Sequence, residues 1–173
     1  QPAALLCRGD VLGLTQAESP TMKKCLLALQ PRSMYDVALA LALIRPAASL
    51  GGRKSRYLNG HRGRQIIYDD DSIYYISERM GCSMGQADKY RRAFKSGKQD
   101  LIDRFYQKIK GAEDDVSKQL TNLNSYAFCK GHALAYGQMV WALAKVKDSF
   151  ELFGGDQVDS YLLFSKIYNF CIP

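Results

Sequence analysis

Histidine is almost missing from this 173-residue chain, which has only His61 and His132. Five cysteines, Cys7, Cys25, Cys82, Cys129 and Cys171, are scattered, odd in number and never spaced C-x-x-C. That pattern argues against a disulfide framework and a structural zinc site, and with so few imidazoles any metal would have to rest on carboxylates. We therefore expect no metal held by this chain and a reducing, cytoplasmic setting. Long apolar runs are also lacking. Stretches such as "VALALALI" are far too short to span a bilayer, so no transmembrane helix and no membrane partner are expected. The opening "QPAALLCRGD" has neither a basic n-region nor a signal-length apolar core, and Gln1 in place of Met suggests a fragment or a trimmed chain. Nothing resembles a phosphate-cradling P-loop, and no internal repeat is visible.

What is present fits a folded chain. Hydrophobic residues make up 47% and charged residues 24%, near the globular average, and the length suits one main domain. Lys and Arg outnumber Asp and Glu, 24 to 17, for a net charge of +7. The excess is uneven. From Val37 to Tyr68 there is no acid, while Arg45, Arg53, Lys54, Arg56, Arg62 and Arg64 all fall there. A second basic stretch runs through Lys89, Arg91, Arg92, Lys95 and Lys98. Clustered cations without acids attract polyanions, of which nucleic acid is the commonest; a solvated surface face is the plainer alternative.

The local pattern is helical. Ser19-Pro20 reads as N-cap and first residue of a helix ended by Pro31, and Ser33 with Asp36 as a capping box opening an apolar helix stopped at Arg45-Pro46. Ahead of them "VLGLTQ" alternates enough for a short strand. Residues 48–66 carry Gly51, Gly52, Gly60 and Gly63 among basic residues without periodicity, which reads as a basic surface loop. "DDDSIYYISERMG" places three acids at a helix start and Gly81 as its C-cap; Ser83 with Gln86 opens the next helix, closed by Gly97. "DLIDRFYQKIKG" is helical, "EDDVSKQLTNLNSY" more weakly so, and from Gly131 to Lys147 Leu134, Gly137, Val140, Trp141 and Ala144 form one stripe. "SYLLFSKIYNF" makes a last apolar segment. The expected fold is mainly α, a compact domain of about seven or eight helices with at most a short strand near the N-terminus. Residues 1–148 form its body and 149–173 a helical extension.

Two constellations could carry chemistry. Arg91 and Arg92 diverge by about 100° on a helix, so one can reach a phosphate while the other braces it, with Lys95 and Lys98 extending the face. From spacing alone the preferred reading is plainer, an exposed pair bonded to Asp88 or to solvent. In "SYAFCKGHALAYGQ", Lys130 and His132 lie among Tyr126, Phe128 and Tyr136 at a helix entrance, a mixture that suits a nucleotide or an unstacked base. Phe128 and Tyr136 as core residues are the alternative. Cys129 and His132 as nucleophile and base of a small hydrolase form a third reading, without an identifiable orienting acid or oxyanion hole. The runs Asp69-Asp70-Asp71 and Glu113-Asp114-Asp115 sit at helix starts, where acids need no metal to be favourable.

In order, "RGDVLGLTQAESPTMKKCLLALQPRSMYDVALALALIRP", "ADKYRRAFKSGK" and "SYAFCKGHALAYGQMVWALAKVK" resemble the fingers region of bacterial family C replicative DNA polymerases, the alpha subunit of DNA polymerase III. The resemblance covers about residues 5 to 148. It implies a mainly helical region that binds the incoming deoxynucleotide triphosphate and primer-template DNA beside a catalytic palm. Arg91 and Arg92 match the arginine pair directed at the triphosphate, and Lys95 lies on the same face. Lys130, His132 and Tyr136 match the family's Tyr-Gly-Phe-Asn-Lys-Ser-His segment and the Tyr beyond it, and Arg45 matches the Arg of an Arg-Pro-Gly turn. The basic stretch containing Arg45, Arg53, Lys54, Arg56, Arg62 and Arg64 is then a candidate DNA-binding surface. The chain departs from the family at Ala47, at Tyr68-Asp69-Asp70-Asp71 where the family has Tyr-Gln-Glu-Gln, at Cys129 and at Gly131, and the stretch after Pro46 is shortened.

The resemblance also implies what to expect elsewhere. The palm carboxylates that hold catalytic Mg2+ are expected in the parent enzyme upstream of the resembling region. No catalytic residue and no cofactor is assigned to this chain, which is not expected to polymerise DNA alone. The palm and other domains of the parent enzyme are its expected partners. A non-catalytic nucleic-acid-binding module is the alternative.

Overall fold

Local capping chemistry sets most helix boundaries. The computed structural model describes residues 1–61, 63–123 and 127–152; Arg62, Tyr126 and the expected segment "SYLLFSKIYNF" lie outside them. Among the described residues the architecture is all-α, with no strand. The chain divides into two compact units, one made of Gln1–Ile44 with the chain from Gly131 onward, the other of Arg45–Lys130.

In the first unit, α1 (Pro2–Cys7) is followed by turns, then α2 (Pro20–Leu29) and α3 (Met34–Leu43). Ser19 Oγ accepts from the Met22 amide at 3.1 Å, and Ser33 and Asp36 form the expected reciprocal box, with Asp36 Oδ2 accepting from the Ser33 amide at 3.0 Å. Each satisfies amide groups that the first helical turn leaves without partners. The expected strand at "VLGLTQ" does not form. Gly13 (φ 79°) and Gln16 (φ 67°) hold left-handed backbone that breaks an extended run, and Leu14 and Ala17 amides close successive turns on Val11 and Leu14 carbonyls. Leu5, Leu6, Leu14, Met22, Leu26, Leu41 and Leu43 are fully buried.

The long helix α10 (Lys130–Leu152) enters this unit at Gly131. Its buried stripe is Ala133, Gly137, Val140, Ala144 and Lys147, one position off the expected one at its start. Leu134 and Trp141 are only half-buried. Small residues let α10 approach closely: a Cβ added at Gly137 would lie 2.8 Å from the Met34 carbonyl oxygen and 2.9 Å from Ala38 Cβ. Lys147, fully buried, ends the stripe by donating to Asp10 Oδ1 at 2.6 Å and the Leu12 carbonyl at 2.9 Å.

In the second unit, residues 48–58 are more ordered than the loop expected of them. They hold the end of α4 (Pro46–Ser49), a 3-10 turn (Leu50–Gly52) and α5 (Arg53–Leu58). The organising residue is Arg53, which is buried and donates to the Leu50 carbonyl at 3.1 Å and the Ile66 carbonyl at 2.8 Å. Burial, and then repulsion from Arg56, lowers its pKa. Next come α6 (Asp69–Met80), α7 (Met84–Ser96), α8 (Gln99–Lys108), α9 (Asp115–Gln119) and a 3-10 turn at Leu120–Asn122. Gly81 and Gly97 end α6 and α7 in left-handed conformation, as their positions predict. The core gathers Ile66, Tyr75, Ile76, Phe94, Phe105, Ile109 and Leu120, with Phe94, Phe105 and Tyr106 packed edge-to-face at 5.3–6.0 Å. Asp114 caps α9 through the Val116 and Ser117 amides and accepts from the Tyr75 hydroxyl at 2.6 Å.

Candidate functional site

The first turn of α6 is where the second unit concentrates charge. Three consecutive aspartates there take three directions, because successive helical residues are rotated by about 100°. Asp71 turns back to cap, its Oδ2 accepting from the Tyr68 amide at 2.8 Å and the Ile67 amide at 3.0 Å; burial nevertheless raises its pKa. Asp70 Oδ2 accepts the Lys130 amide at 2.7 Å. Asp69 faces α7, where its Oδ2 takes Arg91 Nη1 at 2.7 Å and Lys95 Nζ at 2.9 Å. The backbone adds a parallel bridge between Tyr68 and Phe128, with the Asp69 amide donating to the Phe128 carbonyl at 3.1 Å. Lys130 Nζ stands 5.8 Å from the centre of the Tyr68 ring, a cation over an aromatic face.

On α7, Asp88 joins the arginine pair. Its Oδ1 accepts from Arg91 Nε at 2.7 Å, and its Oδ2 accepts from Arg92 Nε at 2.8 Å and from Arg92 Nη2. Burial works to raise the Asp88 pKa, but Arg92 and Arg91 outweigh it and hold the carboxyl below its usual range. Arg91 is likewise opposed by burial yet raised on balance by Asp88 and Asp69. The two arginines differ in exposure, 17% for Arg91 and 72% for Arg92. Three expected site residues, Arg91, Lys95 and Lys130, are thus gathered around the first turn of α6, and Arg92 is tied to Arg91 through Asp88. The bond to Asp88 that spacing suggested is present, as i,i+3 and i,i+4 contacts. Asp69 has no such local signal; only the packing of α6 on α7 brings it there.

The other expected residues lie elsewhere. His132 and Tyr136 are exposed positions on α10 in the first unit. Cys129 immediately precedes α10 rather than standing on it, so the helical spacing that made it a neighbour of His132 does not apply. Within the basic stretch, the Arg45 guanidinium sits 4.5 Å over the Phe128 ring. Lys54 is half-buried, and Arg56 is exposed and donates to the Gly51 carbonyl at 3.3 Å. Arg64 makes a two-pronged pair with Glu78 at 2.8 and 2.7 Å. Arg53 points inward, so its charge is not part of the exposed face; a charge count along the sequence cannot separate it from its neighbours.

Comparison with known proteins agrees with this helical, basic unit. Residues 2–115 match the family described as the bacterial DNA polymerase III alpha subunit finger domain. The chain is 29% identical over 182 residues to an error-prone DNA polymerase of Sinorhizobium medicae, covering 85% of this chain and 16% of that protein. It is 29% identical over 176 residues to a DNA polymerase III subunit alpha of Aquifex aeolicus, covering 83% and 15%. An error-prone DNA polymerase of Cutibacterium acnes is 27% identical over 173 residues, covering 83% and 15%. The chain therefore spans about 15% to 16% of the length of these relatives. It belongs to the family of the bacterial DNA polymerase III alpha subunit finger domain.

Proposed function

We propose that this chain works as the fingers of a DNA-directed DNA polymerase, a nucleotidyltransferase of the cytoplasm, holding the incoming deoxynucleotide triphosphate against primer-template DNA. One observation carries the reading. In a chain of the finger-domain family, Arg91 and Lys95 meet Asp69 and the Lys130 amide meets Asp70 in the first turn of α6, while Arg92 stands exposed beside them, tied to Arg91 through Asp88. Guanidinium forks match phosphate oxygens in two-pronged fashion, while ammonium groups act as point charges.

The chemical role is electrostatic. Positive groups fixed near the triphosphate offset the charge that builds on the leaving pyrophosphate, and they cost little reorganisation because they are already held in place. Metal ions in the palm would activate the primer hydroxyl. His132 and Tyr136, which the family resemblance puts on the nucleotide side, would add a donor and a stacking face. Lys54, Arg56 and Arg64 would meet template phosphates, with Arg45 braced on Phe128 behind them. By this reading the chain binds and gates, and does not polymerise without the palm.

The test is primer extension by the polymerase that carries this segment. The double variant Arg91→Ala/Arg92→Ala should lower kcat/KM for nucleotide at least 10-fold, since a hydrogen bond to a charged group contributes about 1.5–3 kcal/mol. A folded double variant with unchanged nucleotide dependence would remove the assignment.

A further inference from the structure

The arginine pair is asymmetric, and we propose that its members do different jobs: Arg92 contacts the polyphosphate, while Arg91 is a positioning residue that fixes Asp88 and through it Arg92. This rests on the nucleotide-binding reading above and deepens it. Every nitrogen of the Arg91 guanidinium already meets a carboxylate. Nε and Nη2 lie 2.7 Å from Asp88 Oδ1, and Nη1 lies 2.7 Å from Asp69 Oδ2. With 17% of its side chain exposed, Arg91 spans α6 and α7 as a strut.

Arg92 is held by one edge only. Its Nε and Nη2 rest on Asp88 Oδ2, Nη1 has no partner among the described residues, and 72% of the side chain is exposed. A guanidinium carries five N–H donors in a fixed fork. Two of them on Asp88 leave three directed away from it, enough to grip a phosphate by two parallel bonds.

Asp88 does not compete for that free edge; it orients it. One carboxylate oxygen takes each arginine, so the Asp88 position is set by Arg91 and the Arg92 rotamer by Asp88. A long side chain fixed before the ligand arrives loses less rotamer freedom on binding. Asp69 closes the arrangement from α6 and also takes Lys95, so the charge around Arg92 is kept in a defined pattern rather than a mobile one.

Nucleotide titrations on the full-length polymerase separate the roles. Arg92→Ala should raise the nucleotide KM about 10- to 100-fold, the equivalent of a charged hydrogen bond. Arg92→Lys should recover most of that loss, because an exposed point charge still reaches phosphate. Arg91→Ala should raise KM less, and Arg91→Lys should not recover it, because an ammonium cannot bridge Asp69 and Asp88 with a planar fork. Asp88→Asn, which removes the bridge without touching either arginine, should also raise KM; it keeps the test alive should the Arg91 variants misfold. Equal losses in Arg91→Ala and Arg92→Ala, both recovered by Lys, would overturn the division of labour while leaving the nucleotide site standing. So would a lowered KM in Asp88→Asn, the mark of a competing acid. Unchanged KM in every Arg92 variant would overturn the nucleotide reading itself.

Discussion

Gly137 and Gly85 are both helical glycines, and replacing each by alanine should change stability in opposite directions. In a helix interior alanine is favoured over glycine by roughly 0.8–1 kcal/mol. At Gly85, in the first turn of α7, an added Cβ meets nothing within 4 Å, so Gly85→Ala should stabilise by about 0.5–1 kcal/mol. At Gly137 the same methyl would sit 2.8 Å from the Met34 carbonyl oxygen, 2.9 Å from the Ala38 amide nitrogen and 2.9 Å from Ala38 Cβ. Carbon contacts are comfortable at about 3.5–4 Å, so α10 and α3 would have to part by several tenths of an ångström or more. Two of the three obstructing atoms are backbone and the third is a Cβ, none of which can rotate aside. Overpacking typically costs about 1–3 kcal/mol; three rigid contacts under 3.0 Å put this site at about 2–3, and subtracting the helix gain leaves a net loss of about 1–2 kcal/mol. Urea unfolding followed by the fluorescence of Trp141, four residues further along α10, reads both variants. A Gly137→Ala midpoint equal to or above wild type would refute the close approach of α10 to α3.

The buried pair Lys147–Asp10 sets a second expectation. Lys147→Met leaves Asp10, 8% exposed, with only the surface residue Arg8, and should cost about 3 kcal/mol, the low end for breaking a buried ion pair. Burial works to raise the Asp10 pKa, but Lys147 and Arg8 lower it on balance. A lowered carboxylate contributes stability that is complete above its unfolded value, about 3.9, and is lost as pH falls through the folded value. Tm should therefore fall on the acid side of about pH 4, and less steeply in Lys147→Met; parallel acid limbs would contradict the pairing. Arg53→Met strips donors from the Leu50 and Ile66 carbonyls and should destabilise by about 2–4 kcal/mol, measured by urea midpoint. A neutral result there would mean that the buried guanidinium does not organise residues 50–66.

Signals that act within four residues were legible from the sequence. Ser19 and the Ser33/Asp36 and Ser83/Gln86 boxes start helices, and Gly81 and Gly97 end them, where their chemistry says they should. What failed depended on distant contacts. The alternation in "VLGLTQ" mimics a strand, but with no partner strand among the described residues the segment turns, and Asp10 at its edge answers Lys147 across 137 residues. The α10 stripe is legible at Gly137, Val140 and Ala144, but packing buries Ala133 and Lys147 in place of the bulkier Leu134 and Trp141, because small residues allow close approach. Residues 48–61 lack periodicity, and polar contacts help to order them, with Arg53 donating to the Leu50 and Ile66 carbonyls and Gln119 accepting from the Ile66 amide.

The candidate site divides the same way. Arg91, Arg92 and Asp88 are neighbours by helical spacing alone. Asp69 and Lys130 join them only through the packing of α6 on α7 and the bridge from Tyr68 to Phe128. Periodicity along the sequence carries no information about either.

The most direct test of the central claim is to locate the triphosphate. A deoxynucleotide carrying an aryl azide on its γ-phosphate would be bound to the polymerase and primer-template, photolysed, and its adducts mapped by mass spectrometry. Adducts in residues 84–98 and 127–136 that unmodified deoxynucleotide competes away are the predicted result. Competed adducts lying wholly outside those two segments would contradict it.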